Sequence, residues 1–515
     1  MLKPHPEERR IARPAGQAPI YDLVVIGGGV NGAGIANDAA GRGLSVLLCE
    51  QHDLGSHTSS ASSKLVHGGL RYLEHYEFRL VREALGEREV LLNKAPHIIW
   101  PLRFVLPHRP HLRPRWMLRA GLFLYDHLGK RTTLPGSTGG PLNGQGPLNP
   151  EINYAFEYSD CWADDARLVV LNAVQAASLG ADIRPYTCCE SARREGDLWQ
   201  VDLLVGDDVR ETVQARALVN AAGPWAARVM ERVVSTRSPY GVRLVQGSHI
   251  VVPQLHHGRQ AYILQNEDDR IVFVLPYEGE YSLIGTTDVD FQGDPSQVQP
   301  TEEEIDYLLQ AVNAHFKRQL KHADIRHRFS GVRPLISDAS EDDPSAVSRD
   351  YSLTLEGAPG EAPLLAVYGG KLTTYRRLAE AAMEKLKPWF PAANPSWTAQ
   401  YALAGGDFDS HDSLSGELKA EYPWLTDQQL DRFVHCYGTL SRVFLRGIRS
   451  QADMGEQFGA GLTEREIKYL REREWASDLE AILWRRTKLG LHLSAEQQAR
   501  LQAYLLELAG EILAV

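Results

Sequence analysis

From residue 20 onward, short apolar runs alternate with glycine-rich turns and with segments whose apolar residues recur at helical spacing. The run YDLVVI leads into GGGVNGAGIANDAAGRG, and a second apolar run, LSVLLCE, follows, which predicts strand, glycine turn, helix and strand. A βαβ unit of this kind predicts a parallel sheet with a right-handed crossover. Two later apolar strands, at 217–220 and 364–368, each run into a glycine-containing turn, so the first domain is expected to be discontinuous and re-entered twice. Between these returns GSHIVVP, DRIVFVLPY and YSLIGTTDV are short β-rich runs bounded by turn residues, which predicts an antiparallel sheet. Thr301 and Glu304 form a capping box ahead of Ile305, Leu308, Leu309, Val312 and Phe316. The Gly/Pro-rich stretch 134–150 is expected to be a long loop. After about residue 394 helices dominate, the last capped by Ser494 and carrying Leu501, Tyr504, Leu505 and Leu508.

Gly27, Gly29 and Gly32 give G-x-G-x-x-G between the first strand and its helix, and Ala33, Ala36, Ala39 and Ala40 keep that helix thin. Glycine at the turn lets backbone amides approach a pyrophosphate, where the helix N-terminus adds roughly half a positive charge. Glu50 closes the second strand 21 residues after Gly29, placed to accept from ribose hydroxyls and to repel a 2′-phosphate. An adenine dinucleotide is expected; the fingerprint alone does not choose FAD over NAD. The run GSHTSSASSKLVHGGLRYLEH bears on that choice. Thr58, Ser59, Ser60, Ser62 and Ser63 supply five hydroxyls, a donor set suited to a long, extended cofactor, which favours FAD.

Composition narrows the remaining classes. With 55 Lys and Arg against 66 Asp and Glu, the formal charge is −11, which argues against nucleic acid as a partner. Cys49, Cys161, Cys188, Cys189 and Cys436 contain no CxxC, so neither a zinc site nor a disulfide framework is expected, and Cys188 and Cys189 read as structural strand residues. No stretch reaches 18 apolar residues, and the first 19 residues lack a signal-peptide core.

The blocks KLVHGGLRYLEHYEFRLVREALGEREVLL, RPHLRP, GLFLYDHLGKRT, FEYSDCWADDARLV, GSHIVVP, AYILQNEDDRIVFV, IGTTDV, SGVRPL, RDYSL and GGKLTTYRRLAE run in order from 64 to 380, within a match that covers nearly everything from 21 to about 387. Together they resemble the FAD-dependent glycerol-3-phosphate dehydrogenases, in particular the aerobic, membrane-associated bacterial type. ALVNAAGPW and AILWRRTKLG are the clearest landmarks flanking a C-terminal part that resembles the family's cap more loosely. The resemblance implies an α/β fold: an FAD-binding Rossmann-like domain, an α+β substrate domain of the glutathione-reductase and D-amino-acid-oxidase type, and a helical C-terminal cap. The expected boundaries are a frayed extension at 1–18, FAD-binding segments at 19–95, 160–235 and 335–390, a substrate and membrane-facing domain at 96–159 and 236–334, and the cap at 395–515.

The resemblance further implies oxidation of sn-glycerol 3-phosphate to dihydroxyacetone phosphate, with FAD reoxidised by a membrane quinone. The cofactor contacts it implies are Gly27, Gly28, Gly29, Asn31, Gly32, Glu50, Thr58, Ser59, Ser60, Ser63, Lys64, His67, Gly68, Gly69, Leu70, Ala222, Gly223, Trp225, Gly331, Gly370, Lys371, Leu372 and Thr373. A phosphate dianion calls for cations, best a planar guanidinium, and Arg71, Arg333, Arg349 and Lys371 lie in the matching blocks. His249 is the expected proton acceptor, its ordinary pKa of about 6.5 suiting the task, with His67 as rival and Arg71 and Tyr72 orienting the substrate. Asp288 either orients a cationic partner or caps a turn. Two other readings stand beside the dehydrogenase: a related oxidase that uses oxygen, and a nucleotide-binding module without chemistry.

The segment 112–128, LRPRWMLRAGLFLYDHL, has the composition of an interfacial amphipathic helix. Pro114 can start it, Trp116 and Phe123 can lodge among headgroups, and Arg113, Arg115, Arg119 and Lys130 favour anionic lipid. A helix buried between domains fits the same pattern. The expected location is the cytoplasmic face of the inner membrane, without a transmembrane helix, and a homodimer is left open.

Overall fold

The computed structural model describes residues 18–74, 76–129, 131–337 and 350–513. Strand β1 (Ile20–Ile26), helix α1 (Val30–Gly41) and strand β2 (Val46–Cys49) form the βαβ unit that the apolar pattern demands. The strands Val209–Asn220 and Leu364–Gly369 return parallel to β1, with Val25 opposite Val219 and Val219 opposite Leu365. The sheet order is Tyr351–Glu356, Leu364–Gly369, Val209–Asn220, β1, β2, Asp182–Arg184, with an antiparallel flap from Thr187–Glu195 and Leu198–Val205. Such parallel strands are buried on both faces, which is why they read as unbroken apolar runs. The small face of α1 lets two helices pack close: a Cβ at Gly34 would lie 2.7 Å from the Tyr375 ring, and Asn37 bonds Asn172 across helix Asp165–Ser178.

The second sheet has ten strands and is mainly antiparallel. At its centre for function is Gly241–Pro253, flanked by Tyr281–Gly285 on one side and His327–Ser337 on the other, so that His249 stands opposite both Gly285 and Phe329. Helix Glu302–Asn313 covers one face and starts at the expected capping box, Thr301 with Glu304. Helices Phe78–Lys94 and Arg115–Leu128 cover the other. The stretch 134–150 is not all loop: Thr138–Pro141 pairs with Tyr154–Ala163, because that edge offers unpaired backbone groups to any extended neighbour. Tyr154–Ala163 is one continuous strand of this sheet and runs through residue 160, where a domain boundary is expected from the sequence.

Beyond residue 394 the chain is helical, apart from a small hairpin of Gln457–Gly459 with Leu462–Thr463. This domain docks through buried ion pairs rather than apolar contact alone: Arg167 forks onto Glu474, and Lys488 Nζ meets both oxygens of Asp164 at 2.6 Å.

Candidate active site

The carboxyl ends of β1, β2 and their parallel neighbours open onto a cavity of about 890 Å3, within the size range of small-molecule sites, about 300–1,000 Å3. Its floor is the glycine turn. Gly27 has φ +111°, and a Cβ there would lie 2.6 Å from the Ala221 carbonyl; a Cβ at Gly32 would lie 1.9 Å from the Gly27 carbonyl. The first and third glycines are therefore required by the backbone itself, while Gly29 lines the cavity at the mouth of α1 and places no side chain of its own over that terminus. Glu50 accepts from the amides of Gly28 at 2.7 Å and His52 at 2.8 Å, which fixes its carboxylate against the turn, while burial pushes its pKa up. The Asn31 Oδ1 is buried without a partner, and its Nδ2 donates to Gly369 O.

The hydroxyl run largely serves the protein itself. Thr58 donates to Val332 O at 2.7 Å, Ser60 to His57 O, and Ser62 to Asp165 at 2.7 Å. Ser59 accepts from the Val30 amide at the start of α1, and Ser63 meets His249 Nε2 at 3.0 Å. The run thus acts mostly as a seam that joins α1 to the strand bearing Arg333, and only Thr58, Ser59, Ser62 and Ser63 of the five face the cavity.

Of the residues singled out from sequence, Gly27, Gly29, Asn31, Glu50, Thr58, Ser59, Ser63, His67, Tyr72, Ala222, Gly223, Trp225, His249, Gly331, Arg333, Gly370, Lys371, Leu372 and Thr373 all line this one cavity. Gly28, Gly32, Ser60, Lys64, Gly68, Gly69, Leu70 and Arg71 do not. Lys64 is buried and its ammonium is held by Asp165 at 2.7 Å, and the Gly68 amide bonds Tyr125 Oη and Asp160. Arg71 and Tyr72 are neighbours on the short 3₁₀ turn Leu70–Leu73. Three residues per turn point consecutive side chains about 120° apart, so Tyr72 faces the cavity and Arg71 does not. Arg349 lies outside the described residues, as does Lys130.

Arg228, Arg232, Arg333 and Lys371 line the cavity, and the last two are the cations expected from sequence. The Arg333 guanidinium pairs with Asp288 and donates to Thr286 Oγ1 at 2.9 Å, which makes Asp288 an orienting partner for a cation rather than only a turn cap. The Lys371 ammonium sits 3.7 Å from the centroid of the Tyr72 ring, a cation–π contact. His249 is 1% exposed. Its ordinary pKa does not survive folding: burial, then Arg333 and Lys64, push it well below 6.5, so the imidazole is neutral at physiological pH.

Several residues at or behind this wall escaped the sequence. Cys188 and Cys189, read as plain strand residues, line the cavity beside Glu190. Phe329 stacks on His249 at 4.9 Å and 11°, and behind it His327 stacks on Trp484 at 3.8 Å and 15°, so a column of rings runs from the C-terminal domain to His249. No local pattern marks such a column, since its members come from three segments.

Helix Arg115–Leu128 lies on the surface. Only Leu122 and Tyr125 are buried, which removes the reading as an inter-domain helix, whereas Trp116 is 70% and Phe123 59% exposed. Arg119 is exposed and donates to Ser137 O, and Tyr76 and Phe78 add exposed apolar surface on the neighbouring segment. Among the described residues no helix is long and apolar enough to cross a membrane.

Comparison with known proteins agrees with this architecture. Residues 22–376 match the FAD dependent oxidoreductase (DAO) family. A glycerol-3-phosphate dehydrogenase of Pseudomonas aeruginosa is 60% identical over 95% of each chain. The aerobic glycerol-3-phosphate dehydrogenase of Escherichia coli K12 is 55% identical over 94% of this chain and 97% of its own. A D-erythritol 1-phosphate dehydrogenase of Brucella abortus is 51% identical over 93% of this chain and 96% of its own. Among solved structures, the Bacillus halodurans glycerol-3-phosphate dehydrogenase complexed with FAD superposes with a TM-score of 0.71 at 26% identity, covering 95% of this chain and 94% of that one. The glycine at the helix terminus, the Glu50 carboxylate fixed against the turn and the unpartnered Asn31 oxygen suit FAD, the cofactor of this family. The chain belongs to the FAD dependent oxidoreductase family and, within it, to the FAD-dependent glycerol-3-phosphate dehydrogenases.

Proposed function

We propose that this protein oxidises sn-glycerol 3-phosphate to dihydroxyacetone phosphate and passes the electrons to a membrane quinone, feeding glycerol catabolism into respiration. The observation that carries the proposal is the one cavity lined by the dinucleotide turn, by Arg333 and Lys371 and by a neutral buried histidine. Bound FAD supplies the two-electron acceptor for the carbinol hydrogen. Arg333 and Lys371 hold the phosphate dianion, and Asp288 keeps the Arg333 fork in plane. His249 takes the proton of the C2 hydroxyl; we assign the accepting atom to Nε2, which sits against the Ser63 hydroxyl in the wall. Phe329 stacked on the ring holds it in place, and such orientation is where much of the rate arises. The segments 19–95, 160–235 and 335–390 then serve the cofactor, and 96–159 and 236–334 the substrate.

The exposed apolar face of helix Arg115–Leu128 is proposed to rest on the cytoplasmic face of the inner membrane, where a quinone is within reach. Anaerobic titration of the yellow protein tests the activity. Bleaching by sn-glycerol 3-phosphate but not by glycerol supports it, and bleaching by amino acids instead sinks it. D-erythritol 1-phosphate, titrated alongside, reports whether a longer polyol phosphate is preferred. Peroxide yield measured against quinone-dependent turnover separates a dehydrogenase from an oxidase.

A further inference from the structure

The landmark AILWRRTKLG near the C-terminus takes no part in the chemistry above. It opens as a π-helical turn, Ala481–Arg486, a geometry that is rare and frequent near functional sites. Arg486 grips both oxygens of the Asp53 carboxylate, Nη1 to Oδ2 at 2.6 Å and Nη2 to Oδ1 at 2.7 Å, and Arg485 Nε donates to the same Oδ2. Asp53 is 2% exposed, so this is a dry contact between segments 433 residues apart. Burial alone raises the Asp53 pKa, but the two guanidinium groups outweigh it and hold the carboxyl below its usual range.

Asp53 itself is not in the cavity wall, but its loop is: Glu50, Gln51, His52, Gly55, Ser56 and His57 all line it. The Gly55 amide donates to Gly28 O at 3.0 Å, which stitches the loop to the dinucleotide turn, and the Ser56 amide donates to Asp53 O at 3.2 Å within the loop. The other end of the grip is equally firm. Arg486 Nη2 donates to Glu474 O at 2.6 Å, and Glu474 carries the fork of Arg167. Two residues on, Lys488 holds Asp164, next to the Asp165 that binds Ser62 and Lys64.

We propose that the C-terminal domain is a clamp on the cofactor loop: Arg485 and Arg486 act through Asp53 as positioning residues that pre-order residues 50–57 for the adenylate half of FAD. A loop ordered before binding does not charge its ordering entropy to the ligand. Releasing the clamp therefore weakens FAD without touching the substrate cations.

The test compares full-length protein stripped of FAD and refilled, with FAD affinity read by fluorescence quenching and ADP used as a competing probe. Asp53→Asn keeps the shape and removes the charge; Arg485→Gln keeps the Arg486 fork. Arg432→Gln breaks a buried ion pair with Glu466 inside the same domain, away from the loop. The expected result is FAD and ADP both about tenfold weaker in Asp53→Asn, equivalent to about 1.4 kcal/mol, and severalfold weaker in Arg485→Gln. With FAD saturating, KM for sn-glycerol 3-phosphate stays unchanged, and Arg432→Gln lowers the melting temperature without moving either affinity. Unchanged affinities in a folded Asp53→Asn overturn the proposal, as does an equal loss in Arg432→Gln. If Asp53→Asn does not fold, Arg485→Gln decides alone. Both affinities are read without substrate, so failure here is distinct from failure of the proposed reaction.

Discussion

The sharpest test of the geometry around His249 is a single methyl group. Gly285 stands opposite His249 in the sheet, and a Cβ built there would lie 2.1 Å from His249 Cδ2 and 2.7 Å from Nε2. Ordinary contact begins at 3.4 Å, so in Gly285→Ala the ring has to retreat by about 1.3 Å. It has little room, because Phe329, on the strand at the opposite flank, stacks against it at 4.9 Å, and the shift strains the 3.0 Å bond to Ser63. A misplacement of about 1 Å at a catalytic group costs about 100-fold in rate, or about 2.7 kcal/mol in the barrier. Overpacking costs the fold about 1–3 kcal/mol as well, which a lower melting temperature will report. The assay is steady-state turnover of sn-glycerol 3-phosphate with a quinone acceptor, together with FAD content by absorbance. The expected result is kcat down about 100-fold with full FAD occupancy. In addition, the double variant with His249→Asn should be no slower than His249→Asn alone, because the methyl acts only through the ring. A kcat within threefold of the parent refutes the reasoning, and so does a double variant that loses a further hundredfold.

Three other outcomes follow from the same structure. Arg333→Lys keeps the charge but loses the planar fork, so kcat/KM for sn-glycerol 3-phosphate should fall about tenfold, and Arg333→Met about 100-fold, the range of one to two charge-assisted bonds; an unchanged KM in both variants removes Arg333 from the phosphate site. His97, pushed down to about 3 by burial and by Arg167, and His249 are both neutral when folded, whereas the unfolded chain takes up protons near pH 6.5. The unfolded state therefore binds more protons below pH 6.5, and each group removes about 1.4 kcal/mol of stability per pH unit as the pH falls from there toward its folded pKa. Melting temperatures at pH 7.5, 6.5 and 5.5 should drop mainly across the last interval, with a shallower drop in His97→Leu; a flat profile in the parent contradicts this. Finally, Trp116→Ser with Phe123→Ser should abolish most co-flotation with anionic liposomes at unchanged turnover in detergent, and undiminished retention removes the helix as the membrane contact.

Where a feature is local, the chain announces it. The glycine turn, α1 with its alanine face, the Thr301 capping box and the start of helix Arg115–Leu128 after Pro114 all stand where the residue pattern places them, since each is settled by backbone sterics and hydrogen bonds within a few residues. The site residues were harder to read because facing is a tertiary property. Arg71 and Tyr72 are adjacent in sequence, yet only Tyr72 reaches the cavity, and Lys64 sits within a cofactor-like block while its ammonium belongs to Asp165. The hydroxyl run had the right chemistry for a cofactor but bonds mainly to protein, because the carbonyls of Val332 and His57 and the Asp165 carboxylate lie within its reach.

Sequence by itself thus determined the dinucleotide turn, the family and the candidate cationic side chains, because those depend on short-range spacing and on ordered blocks. Tertiary structure alone decided which of those side chains share a wall, that His249 is held neutral between Gly285 and Phe329, and that Asp53 is gripped by arginines from the far end of the chain. Burial and neighbouring charge set the protonation of a group and the order of a loop, and both arise only when distant segments pack together.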